Sequence, residues 1–256
     1  MTRKLDWSSR HDPESRNYPI RALLPKSGQV FRKFKTWTVG PCLDQDQEGA
    51  CVGHGYTNEA TASPVRVDFA KANLGAGWPK DPQAFAFALY EWCKRHDSYP
   101  GTDYDGTAVL TGAQGMQKLG FIPEYRWAFG TNDVIDTLCA QGPVVLGIEW
   151  REDMYDAPGG ELTGTGRPVG GHCILACGYD PARKFSDGTT TEAVLLFNSW
   201  GRGWGINGLA WIKVSELAEL LKDGGEMCVP VHRSYGRTPR KVCQLVAAIK
   251  GRLRLR

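Results

Sequence analysis

The chain has 256 residues, enough to bury a core as one large domain or two small ones. Hydrophobic residues make up 41% and charged residues 23%, a balance that excludes a disordered chain. No apolar run approaches the roughly 20 residues that span a bilayer, and MTRKLDWSSRHDPESR lacks a signal peptide's apolar core, so a cytoplasmic chain with no membrane contact is expected. The net charge of +3 conceals an asymmetry. Residues 233–256 hold eight Arg or Lys and no acid, leaving 23 basic residues against 28 acidic ones elsewhere. Such a tail suits nucleic acid or an acidic partner surface, although a solvated or peripherally docked terminus is the plainer reading. The eight cysteines show no disulfide framework, and in a reducing compartment they are expected to be thiols.

In chain order, residues 1–40 mix charges with Pro and aromatics without a helical period and predict an extended, wrapping segment. A helical lobe is expected over 41–140. Its first helix spans 50–62, stopped by Pro64, and its second covers 84–96, with Asp81 as cap and Pro82 in the first turn. Its third covers 107–120 and ends at Gly120. Residues 141–232 change character. GPVVLGIEW, HCILACGY, AVLLFNSW and GLAWIKV read as short strands divided by Gly-rich turns. SELAELLKDGG (215–225) reads as one late helix capped by Ser215. Helices first and strands later predict an α+β protein with two lobes.

The stretch DQDQEGACVGHG (44–55) places Cys51 at a helix N-terminus, where the helix dipole and unpaired N–H groups favour a thiolate. GGHCILACGYD (170–180) supplies His172 as a base at the start of a strand. LLFNSWGRGWGINGLAWI (195–212) supplies Asn198 to fix that ring, and Trp200 to shield the bond from water. Gln45 and the Cys51 N–H are candidate donors to an oxyanion. A buried structural thiol is the default for a lone cysteine, but the assembled set outweighs it. His172, Cys173 and Cys177 do not read as a metal site, because a strand points His172 away from both thiols. His11, His54, His96 and His232 sit in no motif and read as structural or surface residues.

These blocks resemble the papain-like cysteine peptidase family. Gln45 and Cys51 keep its Gln-x5-Cys spacing, and Gly178–Tyr179 closes the His block. Asn198 to Gly208 reproduces Asn-Ser-Trp-Gly-x-Gly-Trp-Gly-x-Asn-Gly in full. The resemblance covers roughly residues 40–231. It implies a papain-like two-lobed fold with the site in the cleft, and peptide-bond hydrolysis through a thioester on Cys51. His172, Asn198 and Gln45 would serve the reaction, with no metal or organic cofactor and a peptide or protein as substrate. It further implies substrate contacts from Gly106, Gly171 and Trp200. Glu226 would lie at the base of a side-chain pocket, although an exposed loop glutamate is the favoured reading. Val52 and His54 stand where aromatics are common, and Glu48 replaces a cysteine that is normally disulfide-bonded. The short leading segment is like that of compact bacterial and phage members, some of them virion-associated, and any latency is expected to reside there. The alternatives are an amidase or transpeptidase acting on cell-wall peptides, and a catalytically silent binding or virion-assembly module.

Overall fold

The structure is a computed structural model that describes residues 3–232 apart from 6, 9–12, 27, 100, 102 and 223. The basic tail 233–256 and His11 lie outside the described residues.

Small residues dominate the first helix, α1 (Cys51–Thr61), and only Thr61 escapes full burial. A helix enclosed on all sides must let its neighbours approach closely. Gly53 does so for α2 (Pro82–Lys94), since a Cβ there would lie 2.2 Å from the Ala86 carbonyl oxygen. Asp81 accepts the Ala84 N–H at 3.0 Å and Pro82 opens the helix. The cap therefore sets the start, and α2 begins two residues before the expected 84. The third helix, α3 (Val109–Lys118), stops before Gly120, whose φ of +79° ends the run.

Two elements interrupt the expected order of helices then strands. β2 (Glu124–Trp127) and α4 (Thr131–Ala140) fall inside the segment read as purely helical lobe. β2 joins the sheet by pairing with β8 (Glu226–Val231), a partner about a hundred residues away. Asp136 of α4 is held by Arg21 and Arg32, so the N-terminal segment wraps that helix. That segment also contains 3-10 turns at Pro13–Asn17 and Ile20–Ala22 and a two-residue strand, β1 (Lys35–Thr36), where only extended chain was expected.

The remaining strands are β3 (Val144–Arg151), β4 (Glu161–Leu162), β5 (Pro168–Lys184), β6 (Thr190–Phe197) and β7 (Leu209–Lys213). The sheet order is β2-β8-β3-β5-β6-β7-β4, with β1 pairing on β5. β5 runs for 17 residues, twice the expected length, and bulges against β6 let it bend. α5 (Val214–Lys222) continues directly from β7, so Ser215 lies inside the first turn and does not cap it, contrary to the expectation.

The central strands are buried on both faces. Leu146, Ile148, Ile174 and Ala176 enter a core shared with α4 and α5. Val145, Cys173, Leu175 and Cys177 enter a second core shared with α1, α2 and α3. The two cores are the two lobes of the α+β architecture, and alternation along β3 and β5 divides them.

Candidate active site

Cys51 is the first residue of α1 and is wholly buried. His172 stands on β5 opposite Ile148 of β3. One more turn along α1, a Cβ on Gly55 would come within 2.7 Å of the Cys173 sulfur, so α1 lies directly on the part of β5 that carries His172. His172 Nε2 lies 2.7 Å from Asn198 Oδ1. The same oxygen accepts the Ser199 N–H at 2.8 Å, which fixes it as the acceptor and makes His172 Nε2 the donor. His172 Nδ1 is left without a hydrogen-bond partner among the described residues.

Aromatic rings dry this pair. Trp150 packs on the His172 ring at 4.6 Å between centroids and Trp200 at 4.9 Å. Burial lowers the His172 pKa to about 4, with the Asn198 bond opposing and the charge of nearby His54 assisting. Trp200 thus packs on the ring that is bonded to Asn198. Trp150 was not singled out. It sits in the apolar run GPVVLGIEW, which looks like core, and no local pattern marks it as a neighbour of His172.

Gln45 is held at both ends. Its N–H donates to the Ser199 carbonyl at 2.9 Å, and its Oε1 accepts the Ser199 hydroxyl at 2.8 Å. The amide nitrogen therefore faces away from Ser199, donating to the Glu48 carbonyl at 2.9 Å and reaching the Lys4 carbonyl at 3.5 Å. Gln45, His172 and Asn198 are thus joined through Ser199.

The Lys4 carbonyl belongs to a strap of N-terminal residues laid across the site. Arg3 binds the Asp44 carboxylate, the Asp46 carbonyl at 2.9 Å and the Trp200 carbonyl at 3.1 Å. Trp7 donates its N–H to the Gly171 carbonyl at 3.0 Å and bridges to Thr107. Its indole N–H donates to a Glu226 carboxylate oxygen at 2.9 Å. Room for the indole comes from two glycines. A Cβ on Gly147 would lie 2.4 Å from the Trp7 ring, and one on Gly171 2.3 Å from its carbonyl oxygen.

The strap locates the residues expected to contact substrate. Gly171 meets it through its carbonyl. Gly106 gives its own N–H to the Tyr90 hydroxyl at 3.1 Å, and the backbone facing the strap is that of Thr107. Glu226 is buried as the first residue of β8, which corrects the favoured reading of an exposed loop glutamate. The strand that buries it pairs with β2 and β3, neither pairing being visible locally. Burial raises its carboxyl to about 7, against the Trp7 and Val109 hydrogen bonds.

The description "Papain family cysteine protease" matches residues 70–222, a span that includes His172 and Asn198. The chain belongs to the papain family of cysteine proteases. Among curated members of the papain family, rat (Rattus norvegicus) cathepsin J is 26% identical over 199 residues, covering 72% of this chain and 57% of that protein. Rat cathepsin Q is 25% identical over 221 residues, covering 77% and 60%. The chain therefore spans less than two thirds of these relatives' length. Two solved structures share the fold. One is digestive procathepsin L 3 of Tenebrio molitor larval midgut, with a TM-score of 0.56, 14% identity and 89% and 84% of the two chains covered. The other is xylellain, a cysteine protease from Xylella fastidiosa, with a TM-score of 0.53, 14% identity and 90% and 97% covered.

Proposed function

We propose that this papain-family chain hydrolyses peptide bonds through a thioester on Cys51. The Cys51 sulfur attacks the scissile carbonyl, and the Cys51 N–H and the Gln45 amide receive the oxyanion. His172 Nδ1, the ring nitrogen left open by the Asn198 bond, takes the thiol proton and delivers it to the leaving amine. It then activates water to release the acyl group. Asn198 holds the ring plane and tautomer without adding charge.

The observation that carries this reading is the strap. A peptide already lies across these residues, with one carbonyl turned toward the Gln45 amide and one N–H on Gly171. A peptide substrate would meet the same groups, with its side chain over Glu226 in the place of Trp7. In this reading Arg3, Lys4, Leu5, Trp7 and Ser8 also hold the enzyme latent, because they exclude substrate. A basic or hydrogen-bond-donating side chain suits the pocket over Glu226.

Mass spectrometry of a mixed peptide library tests the proposal. Full-length protein carrying Trp7→Ala is expected to cleave faster than wild type, and Cys51→Ala in either background is expected to cleave nothing while keeping its circular dichroism. Cleavage by a folded Cys51→Ala protein would remove Cys51 from the reaction.

A further inference from the structure

His54 stands three residues after Cys51, wholly buried, at a position where the family usually has an aromatic ring. Its Nδ1 lies 2.9 Å from the Ala50 carbonyl, which can only accept, so Nδ1 carries the proton and Nε2 is an acceptor. Gln83 Nε2 lies 3.3 Å from that acceptor. The same Gln83 amide nitrogen donates to the Asp44 carbonyl, and Gln83 Oε1 accepts the Asp44 N–H at 2.9 Å. One tautomer of His54 and one orientation of Gln83 satisfy these four bonds. Burial pushes the His54 imidazole down to about 4, so Nε2 stays an acceptor at neutral pH. The close approach of α1 and α2 at Gly53 brings Gln83 alongside, and Phe87 of α2 packs edge-on against the ring at 4.8 Å.

The two carbonyls at the ends of this chain are not arbitrary. The Ala50 carbonyl shares a rigid peptide plane with the Cys51 N–H, and the Asp44 carbonyl shares one with the Gln45 N–H. We infer that His54 and Gln83 are positioning residues that tie the peptide unit bearing the Cys51 N–H to the peptide unit preceding Gln45, whose side-chain amide is the other oxyanion donor. The inference rests on the proposed oxyanion role of Gln45 and the Cys51 N–H. Ser199 restrains Gln45 from the β-rich side, and Gln83 restrains the preceding peptide from the helical side. An aromatic at position 54 would fill the space but make neither bond.

The test uses full-length protein, with and without Trp7→Ala, carrying His54→Phe or Gln83→Met. His54→Phe keeps the ring volume, and Gln83 lies half-buried in the first turn of α2, so the two substitutions break the cluster from its buried and its half-buried end. Three quantities are read: the split between kcat and KM, the affinity for a peptide aldehyde, and the rate of Cys51 alkylation by iodoacetamide. The aldehyde forms a tetrahedral oxyanion on Cys51, whereas alkylation forms none.

Each substitution is expected to lower kcat and aldehyde affinity together by about tenfold, less than the loss of a whole donor. KM and the alkylation rate are expected to stay within twofold, and Gln83→Glu, which cannot donate to the Asp44 carbonyl, is expected not to rescue. Equal losses in alkylation and aldehyde binding would reduce the cluster to a structural role and overturn the inference. A Gln45→Ala protein that loses aldehyde affinity while His54→Phe and Gln83→Met keep it would overturn this inference alone. A Gln45→Ala protein with unchanged affinity would overturn the oxyanion assignment and this inference with it.

Discussion

Glu226 shows how far a single residue's surroundings decide its chemistry. By sequence it is one of several acids in a Gly-rich stretch. In the fold it is roofed by Trp7, and burial raises its carboxyl to about 7. A carboxyl raised on folding favours the folded state most below its unfolded value and loses that contribution as pH rises through the folded one. Glu226→Gln is therefore expected to be nearly neutral at pH 4 and stabilising by about 3 kcal/mol at pH 8, scaled from the size of the shift. Chemical denaturation at the two pH values measures the difference, and an equal effect at both would refute it. Cys51, His172, Asn198 and Gln45 stood out in the sequence as candidates because each belongs to a short pattern with fixed spacing. Trp7, Trp150, Ser199 and Gln83 were not singled out as site residues, because their parts come from contacts between segments about 20 to 220 residues apart, which leave no local signature.

At the scale of elements, β3 illustrates a strand shaped by what lies on it. Its hydrophobic run made it legible as a buried strand, but the run does not explain Gly147. The Trp7 ring occupies the place of the missing side chain. Gly147→Ala is expected to cost about 1–3 kcal/mol of overpacking, or to expel Trp7 instead, raising peptide cleavage. Combined with Trp7→Ala the penalty is expected to vanish, so the double-mutant cycle is strongly non-additive. Additive effects would separate Gly147 from the strap. Where the reading of elements failed, the reason was tertiary. β2 is four residues long and gains its place by pairing with β8. α4 is ten residues held by two arginines from the leading segment. Neither element declares itself by period or cap alone.

The whole molecule divides its stability between two cores on either face of one sheet, and two buried imidazoles lie where the faces meet the site. His172 and His54 both have pKa values lowered to about 4 by burial. Between about pH 6.5 and 4 an unfolded chain binds protons that these rings refuse in the folded state, so unfolding free energy rises with pH across that window, by up to about 3 kcal/mol per ring. Glu226 acts in the opposite sense, leaving a net loss on acidification. Melting temperatures are expected to fall from pH 7 to pH 4.5, and to fall more steeply in Glu226→Gln. Lifting the strap rehydrates Glu226 and lets its carboxyl ionise, so acid favours the docked strap and rising pH favours release. The protection factor of the Trp7 N–H, bonded to Gly171, is expected to fall as pH rises through about 7, and a flat profile would count against coupling between strap and carboxyl. The α+β class and the two lobes were legible because the hydrophobic pattern changes character near residue 142. The strap's path was not, since a charged stretch holding one tryptophan carries no address.

The cysteines scattered along the chain acquire a collective property from the packing of the sheet. Burial pushes the thiols of Cys93, Cys173, Cys177 and Cys228 upward, and those of Cys42 and Cys139 less so. Their sulfurs are poor nucleophiles near neutrality, whereas Cys51 stands where a helix begins. A mild electrophile offered to the opened protein therefore meets a background of silent sulfurs among the described residues. With Cys243, which lies outside the described residues, replaced, and with Cys51 as the nucleophile proposed above, one adduct per chain would count the fraction of competent centres.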